Sequence, residues 1–318
     1  MNLEYILKCF PVNIRQTIEE KAELNNLEEV RLRNNLPIIL EMGKYEKVIQ
    51  YKINPEEMNY IFQKICENSI YTYQNQIAGG FITIKGGNRV GLVGTAVVKD
   101  GCITNFNYIS SLNIRISREV IGCSNQLMDE IINKEENTIY NTLIVSPPGM
   151  GKTTLLRDII RNISNGIANK LTGKNIAVID ERCEISAMYK GIMQNDLGIR
   201  TDVINDIPKY LGMKMAIRSM APQVIAADEI GSTKDSEAIR YAMCCGVKGI
   251  FTAHGKNMEE LRKNPELKQL IEEKIFDKII FLQGRENNKI KFNISFSENS
   301  KIIEIAVEPQ VSEVIHGL

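Results

Sequence analysis

Residues 146–154 read SPPGMGKTT, a spacing that suits one kind of chemistry. Gly149 and Gly151 allow a tight backbone turn, so the amides of 149–154 can point inward at an anion. Lys152 is placed to reach the β- and γ-phosphates of a nucleoside triphosphate, and Thr153 to ligate Mg2+. The expected binding set is the whole loop: Ser146, Pro147, Pro148, Gly149, Met150, Gly151, Lys152, Thr153 and Thr154, with ATP as the ligand. The pattern G-x-x-x-x-G-K-[ST] has its first glycine replaced by Ser146.

Hydrolysis needs more than a cradle. The apolar run Val224–Ala227 ends in Asp228 and Glu229. An acid at the carboxyl end of a parallel strand sits beside such a loop. Asp228 is expected to hold Mg2+ through water, and Glu229 to orient or deprotonate the attacking water. A second pair, Asp180–Glu181, ends the run Ile176–Ile179 and competes for the same role. Its plainer reading is a strand-end ion pair with Arg182. His254 follows GIFTA and could sense the γ-phosphate. Arg200 and Arg218 are candidates for a guanidinium given to a neighbour's phosphate, or else ion-pair partners of Asp202 or another acid.

These residues need a scaffold that brings strand ends together. From about residue 140 short apolar strands alternate with helices: TLIV and a helix to Asn169, IAVID, VIAADE and a helix from Ser232, then GIFTAH. That alternation predicts an α/β fold with a parallel central sheet. The first part reads as a smaller α+β domain closing near Gly122, giving domains of 1–122 and 123–318. In it, helical spacing runs through Ile6, Phe10, Ile14 and Ile18, with another helix from Pro55 to Asn68. Strands fall around Asn34–Asn35 and Gly43, either side of Gly86–Gly87, and at 101–105 and 112–116. The Gly-rich tip 85–94, with Lys85 and Arg89, reads first as a hairpin turn and second as a nucleic-acid clamp. A C-terminal β extension covers about 276–318, with turns at Asn287–Asn288 and Glu298–Ser300.

Composition narrows the classes. The 318 residues carry equal numbers of acidic and basic side chains, which argues against a dominant nucleic-acid or anionic-membrane surface. Seven dispersed cysteines read as reduced thiols, and no Cys-x-x-Cys pair suggests zinc. Cys244, Cys245, Met213, Met215 and Met220 are expected in core packing or contacts. The N-terminus lacks a signal-peptide pattern, and no apolar stretch reaches the ~18 residues of a membrane span. A cytoplasmic protein is expected, with membrane contact only through partners.

The sequence resembles the stage III sporulation protein AA family of endospore-forming bacteria along nearly its whole length. LEEVRLR (27–33), GGFITIKGGNRVGLVGTAV (79–97), NIRISRE (113–119), the phosphate loop, AVIDERCEI (177–185), RTDV…PK…GM…AIRSMAPQVIAADEIG (200–231) and TAHG (252–255) carry the resemblance. Besides Ser146, the sequence departs at Asn88, where histidine is expected. That family is similar in turn to the hexameric type II and type IV secretion ATPases. The resemblance implies a RecA-like (ASCE) P-loop NTPase domain behind an N-terminal docking domain. It matches Asp180 and Glu181 to an acidic box, Glu229 to the Walker B glutamate and His254 to a histidine box. It also implies a homo-oligomeric ring, hexameric, with ATP at subunit boundaries. The ring would sit in the mother-cell cytoplasm, peripheral at the forespore membrane, and power or assemble a channel with membrane subunits. No stable nucleic-acid partner is expected. The rival readings are a nucleic-acid-dependent motor, and an assembly module that binds ATP with little hydrolysis.

Overall fold

The computed structural model describes residues 2–43, 45–117, 119–286, 289–296 and 300–306. The chain divides into two compact units. One is Met1–Arg118 with Ala187–Gln194, and the other is Glu119–Ser186 with Asn195–Leu318.

The first unit is built on a six-stranded antiparallel sheet. Its spatial order is Glu46–Lys52, Pro37–Glu41, Glu29–Arg33, Cys102–Arg115, Asn88–Lys99, Phe81–Ile84. In four of these strands alternating apolar residues are buried: Val30 and Leu32, Ile38 and Leu40, Val90 and Leu92, Leu112 and Ile114. The helices Asn2–Lys8, Val12–Lys21 and Pro55–Ile65 add Ile6, Ile14, Ile18, Met58, Ile61 and Ile65 to the same core. Asn54 caps the third of these helices in a capping box with Glu57. The two strands expected at 101–105 and 112–116 are one strand, Cys102–Arg115. Its partner Asn88–Lys99 is nearly as long, and irregularities near Gly94 let the pair bend without breaking.

At the Gly-rich tip, Gly86 and Gly87 have φ of 86° and 73° and close the hairpin. Asn88 is fully buried there. Its Nδ2 donates to the Lys85 carbonyl at 2.9 Å, and its Oδ1 accepts from the Ser117 amide at 2.9 Å. The asparagine thus ties the turn to the end of the neighbouring strand. Arg89 lies over the Phe81 ring at 3.8 Å. The later segment Ala187–Gln194 completes this unit. Tyr189 Oη and Lys190 Nζ both donate to the Glu67 carboxylate, and the Gly86 amide donates to Gln194 Oε1 at 2.8 Å.

The second unit holds six parallel strands in the order Thr201–Asn205, Ile176–Asp180, Val224–Ala227, Lys248–His254, Thr142–Ser146, Lys278–Glu286. Two antiparallel strands, Lys289–Phe296 and Ser300–Ala306, extend it. Both faces are covered, so the central strands are apolar at nearly every position. Ile144, Val178 and Ala226 face a core with the helix Lys152–Asn165, whose Leu155, Leu156, Ile159 and Ile163 fill it. Leu143, Val145, Ala177 and Ile225 face the helices Lys209–Ser219 and Thr233–Cys244. The expected helix after the phosphate loop stops at Asn165, not Asn169, because Gly166 takes φ of 81°. The turns expected at Asn287–Asn288 and Glu298–Ser300 lie outside the described residues, save Ser300. Cys244 and Cys245 are exposed instead of packed in the core, since they end a helix at the surface. Met213 is buried, whereas Met215 on the same helix is exposed.

Asp158 anchors the start of this unit. Its buried carboxylate accepts from the amides of Gly122 and Ser124, from Ser124 Oγ and from Arg161. Burial pushes its pKa up, but these donors together outweigh burial and hold it below 3.8. Asp158→Ala is therefore expected to cost about 3 kcal/mol, because it strands buried donors. A carboxyl with a lowered folded pKa stabilises fully above its unfolded pKa and loses that contribution as pH falls through the folded value. The gap between parent and variant in urea midpoint should stay constant from about pH 5 to 8 and close below about pH 4.

Candidate active site

Four neighbouring parallel strands end on one rim, and the order of their ends defines the site. Ile176–Asp180 leads into Glu181 and Arg182. Val224–Ala227 leads into Asp228 and Glu229. Lys248–His254 ends in His254 itself, and Thr142–Ser146 leads into the loop. The edge between adjacent strands is ~4.8 Å wide, so side chains from successive ends can touch.

The loop has the backbone that a phosphate cradle needs. Gly149 and Gly151 have φ of 76° and 86°, and a Cβ at either would meet nothing within 4 Å. Glycine is required there by conformation, and the space above the backbone stays open. Gly151 opens the 14-residue helix Lys152–Asn165, whose first amides and dipole face that space. Ser146, in place of the usual glycine, is fully buried and donates from Oγ to the Pro147 carbonyl at 2.8 Å. Its small side chain closes back on the loop.

Lys152 is only 6% exposed. Its Nζ donates to the Ser146 carbonyl at 3.2 Å and contacts His254 Nδ1 at 3.0 Å. Burial lowers its pKa, and Asp228 and Glu229 oppose that shift. His254 Nε2 lies 2.9 Å from Glu229 Oε1. A protonated lysine donating to Nδ1 requires the neutral histidine that carries its proton on Nε2 and donates it to the glutamate. The other Glu229 oxygen, Oε2, accepts from Arg182 Nη1 at 2.8 Å. A line of contacts therefore runs from Lys152 through His254 and Glu229 to Arg182. Glu229 itself has φ of 54°, a strained conformation for a residue with a side chain.

Thr153 Oγ1 donates to Asp228 Oδ2 at 2.5 Å. A hydroxyl and a carboxylate so placed at the loop's helix are donors of the type Mg2+ takes alongside phosphate oxygens. Among the described residues no cluster of three or more His, Cys, Asp or Glu could hold a metal alone. The donor set thus fits a cation that arrives with a phosphate. Thr252, fully buried and absent from the sequence expectations, orders both acids. Its Oγ1 donates to Asp228 Oδ1 and accepts from the Glu229 amide at 2.8 Å. Its traces in the sequence were its polarity in the otherwise apolar strand GIFTA and its place at the head of TAHG.

The first acid pair is placed differently. Asp180 is 2% exposed. Its carboxylate accepts from the amides of Glu184, Ile185 and Ser186 at 2.9, 3.1 and 2.7 Å and from Ser186 Oγ at 2.6 Å. It shapes the turn that follows its strand. Glu181 pairs with Lys209, the first residue of a helix. Both acids line a small cavity with Arg182, Asp228 and Glu229. Arg200 and Arg218 are not brought to this rim. Arg200 precedes the strand Thr201–Asn205 and donates to the Ser164 carbonyl at 3.0 Å. Arg218 ends the helix that returns toward Val224. Both therefore lie at the amino-terminal edge of the sheet.

Comparison with known proteins adds what geometry alone does not. The model of the family "Sporulation stage III, protein AA" matches residues 2–296. The chain belongs to that family. It is 38% identical over 279 residues to stage III sporulation protein AA of Bacillus subtilis, covering 87% of this chain and 90% of that one. It is 28% identical over 272 residues to the uncharacterized protein ycf45 of Porphyra purpurea, covering 85% of this chain and 44% of that one. Among solved structures it is similar to the ATPase DotB of Legionella pneumophila. That match has a TM-score of 0.59 and 15% identity, covering 91% of this chain and 82% of the other. The pilus retraction motor PilT with bound ADP matches with the same TM-score and identity, covering 90% and 82%. The chain therefore shares the α/β fold of DotB and PilT, its second unit built on a parallel sheet and its first on an antiparallel one. Among the described residues no helix is long and apolar enough to cross a membrane.

Proposed function

We propose that this protein binds Mg2+ and ATP at the loop 146–154 and hydrolyses the γ-phosphate. The observation that carries the reading is the line Lys152–His254–Glu229 beside the Thr153–Asp228 pair, all at one rim of the sheet. Lys152 would exchange His254 for the β- and γ-phosphates. Thr153 and Asp228 would hold Mg2+, directly and through water respectively, and the ion would neutralise charge on the phosphates. Glu229, fixed through Thr252 and His254, would accept the proton of the attacking water. The water oxygen bonds to the γ-phosphorus as the bond to the β–γ bridging oxygen breaks, releasing ADP and phosphate. His254, no longer held by Lys152, would report the occupied state to the rim.

Membership of the family and likeness to DotB and PilT support a further statement. Copies of the chain would form a ring, hexameric as the sequence resemblance implies, that powers or assembles a channel during sporulation. It would act from the mother-cell cytoplasm on membrane subunits, with a docking domain at 1–122 and an ATPase domain at 123–318. The test is direct. Purified protein should release phosphate from ATP only when Mg2+ is present, and sedimentation with a non-hydrolysable ATP analogue should give a species several chains in size. Nucleotide-free and nucleotide-loaded protein that both remain monomeric would remove the ring. Absence of Mg2+-dependent nucleotide binding would remove the whole reading.

A further inference from the structure

A phosphoryl-transfer site gains a large factor from a guanidinium at the transferring group, and the rim carries one. Arg182 leaves the strand end next to Asp228–Glu229, and its side chain is 62% exposed. Among the described contacts only its Nη1 is engaged, to Glu229 Oε2. The guanidinium's other N–H donors face no described acceptor. Two other cations near the rim are committed. Arg157 gives both Nε and Nη2 to the Glu184 carbonyl, and Lys209 is bound to Glu181.

Charge points the same way. In the resting site Lys152 and Arg182 balance Asp228 and Glu229. An arriving triphosphate would set a second anion beside the Glu229 carboxylate. Arg182, already bonded to Glu229, would offset part of that added charge.

We propose that Arg182 is the arginine this chain supplies to its own γ-phosphate, with Nη1 on Glu229 and its remaining donors on the transferring phosphoryl group. Each carboxylate oxygen has two lone-pair positions, so Glu229 can hold Arg182 and a water together. The inference rests on the nucleotide-hydrolysing reading above. It requires no guanidinium from a neighbouring copy for the chemical step, although one could add to it.

The experiment compares binding of Mg·ADP with and without aluminium fluoride, a mimic of the transferring phosphoryl group, in parent, Arg182→Gln and Arg182→Lys proteins. Arg182 is exposed, so both variants should fold as the parent does. Mg·ADP affinity should stay within about 3-fold in Arg182→Gln, while the gain from aluminium fluoride falls by about 30-fold or more. Its kcat should fall about 10²-fold with KM little changed, and Arg182→Lys should lie between. An undiminished fluoride gain, or a kcat unchanged or raised in Arg182→Gln, would overturn the proposal and leave Arg182 as a restraint on Glu229. Failure of the parent protein to bind Mg·ADP would instead overturn the reading on which the proposal rests.

Discussion

Lys152→Ala is expected to weaken binding of Mg·ATP at least about 100-fold, to the point where no thermal stabilisation by nucleotide remains. Two effects add. The ammonium is nearly buried at the loop, against the Ser146 carbonyl and His254, so its charge would act on a phosphate bound there with little screening by water. It also balances Asp228 and Glu229, which would otherwise repel the incoming anion. The empty protein should scarcely notice the change. Burial already disfavours the charged lysine, so folding loses little when it goes. A melting curve unchanged without ligand but insensitive to ADP separates this outcome from simple misfolding. Retained nucleotide stabilisation in the variant would contradict the assignment of the loop.

Glu229→Gln should leave binding intact and lower kcat by about 10²–10⁴-fold, the range for losing a positioned general base. The amide keeps the size of the side chain and can still accept from His254, but it cannot take the proton of water. Glu181→Gln serves as the comparison. Its carboxylate is tied to Lys209, so its loss should change turnover far less than that of Glu229. Single-turnover phosphate release measured for both variants decides the matter. Equal turnover by the parent and Glu229→Gln would remove Glu229 from the chemistry.

The residues that cradle phosphate were legible because they are contiguous: one loop supplies the turn, the lysine and the hydroxyl. The parallel sheet was legible because both its faces are covered, leaving runs such as Leu143–Val145 and Val224–Ala227 apolar throughout. The strand Thr201–Asn205 escaped notice for the opposite reason. It lies at the sheet edge, and TDVIN is half exposed and half polar. Side-chain direction was less legible than position. Asp180 and Asp228 both end apolar strands, yet one folds back onto the amides of 184–186 and the other meets Thr153. A turn three residues long separates these outcomes, and its geometry is not written in the spacing of the acids. Arg182 was read only as an ion-pair partner of the first acid pair, and Thr252 was given no role, although both lie in segments that carry the family resemblance. Each matters through a residue on the adjacent strand.

The segment Ala187–Gln194 has a consequence for biosynthesis. The first unit is encoded in two pieces, with the phosphate loop and its helix between them. A ribosome that has released residues 1–118 has made a sheet and its helices. The carboxylate of Glu67 then still lacks Tyr189 and Lys190, and Gly86 lacks Gln194. The N-terminal portion therefore cannot be completed as an uninterrupted stretch, as separate domains made in sequence commonly are. Its last contacts wait until Thr142–Ser146 and Ile176–Asp180 have emerged, so completion of the first unit overlaps the start of the second while four of the six parallel strands are still to be made.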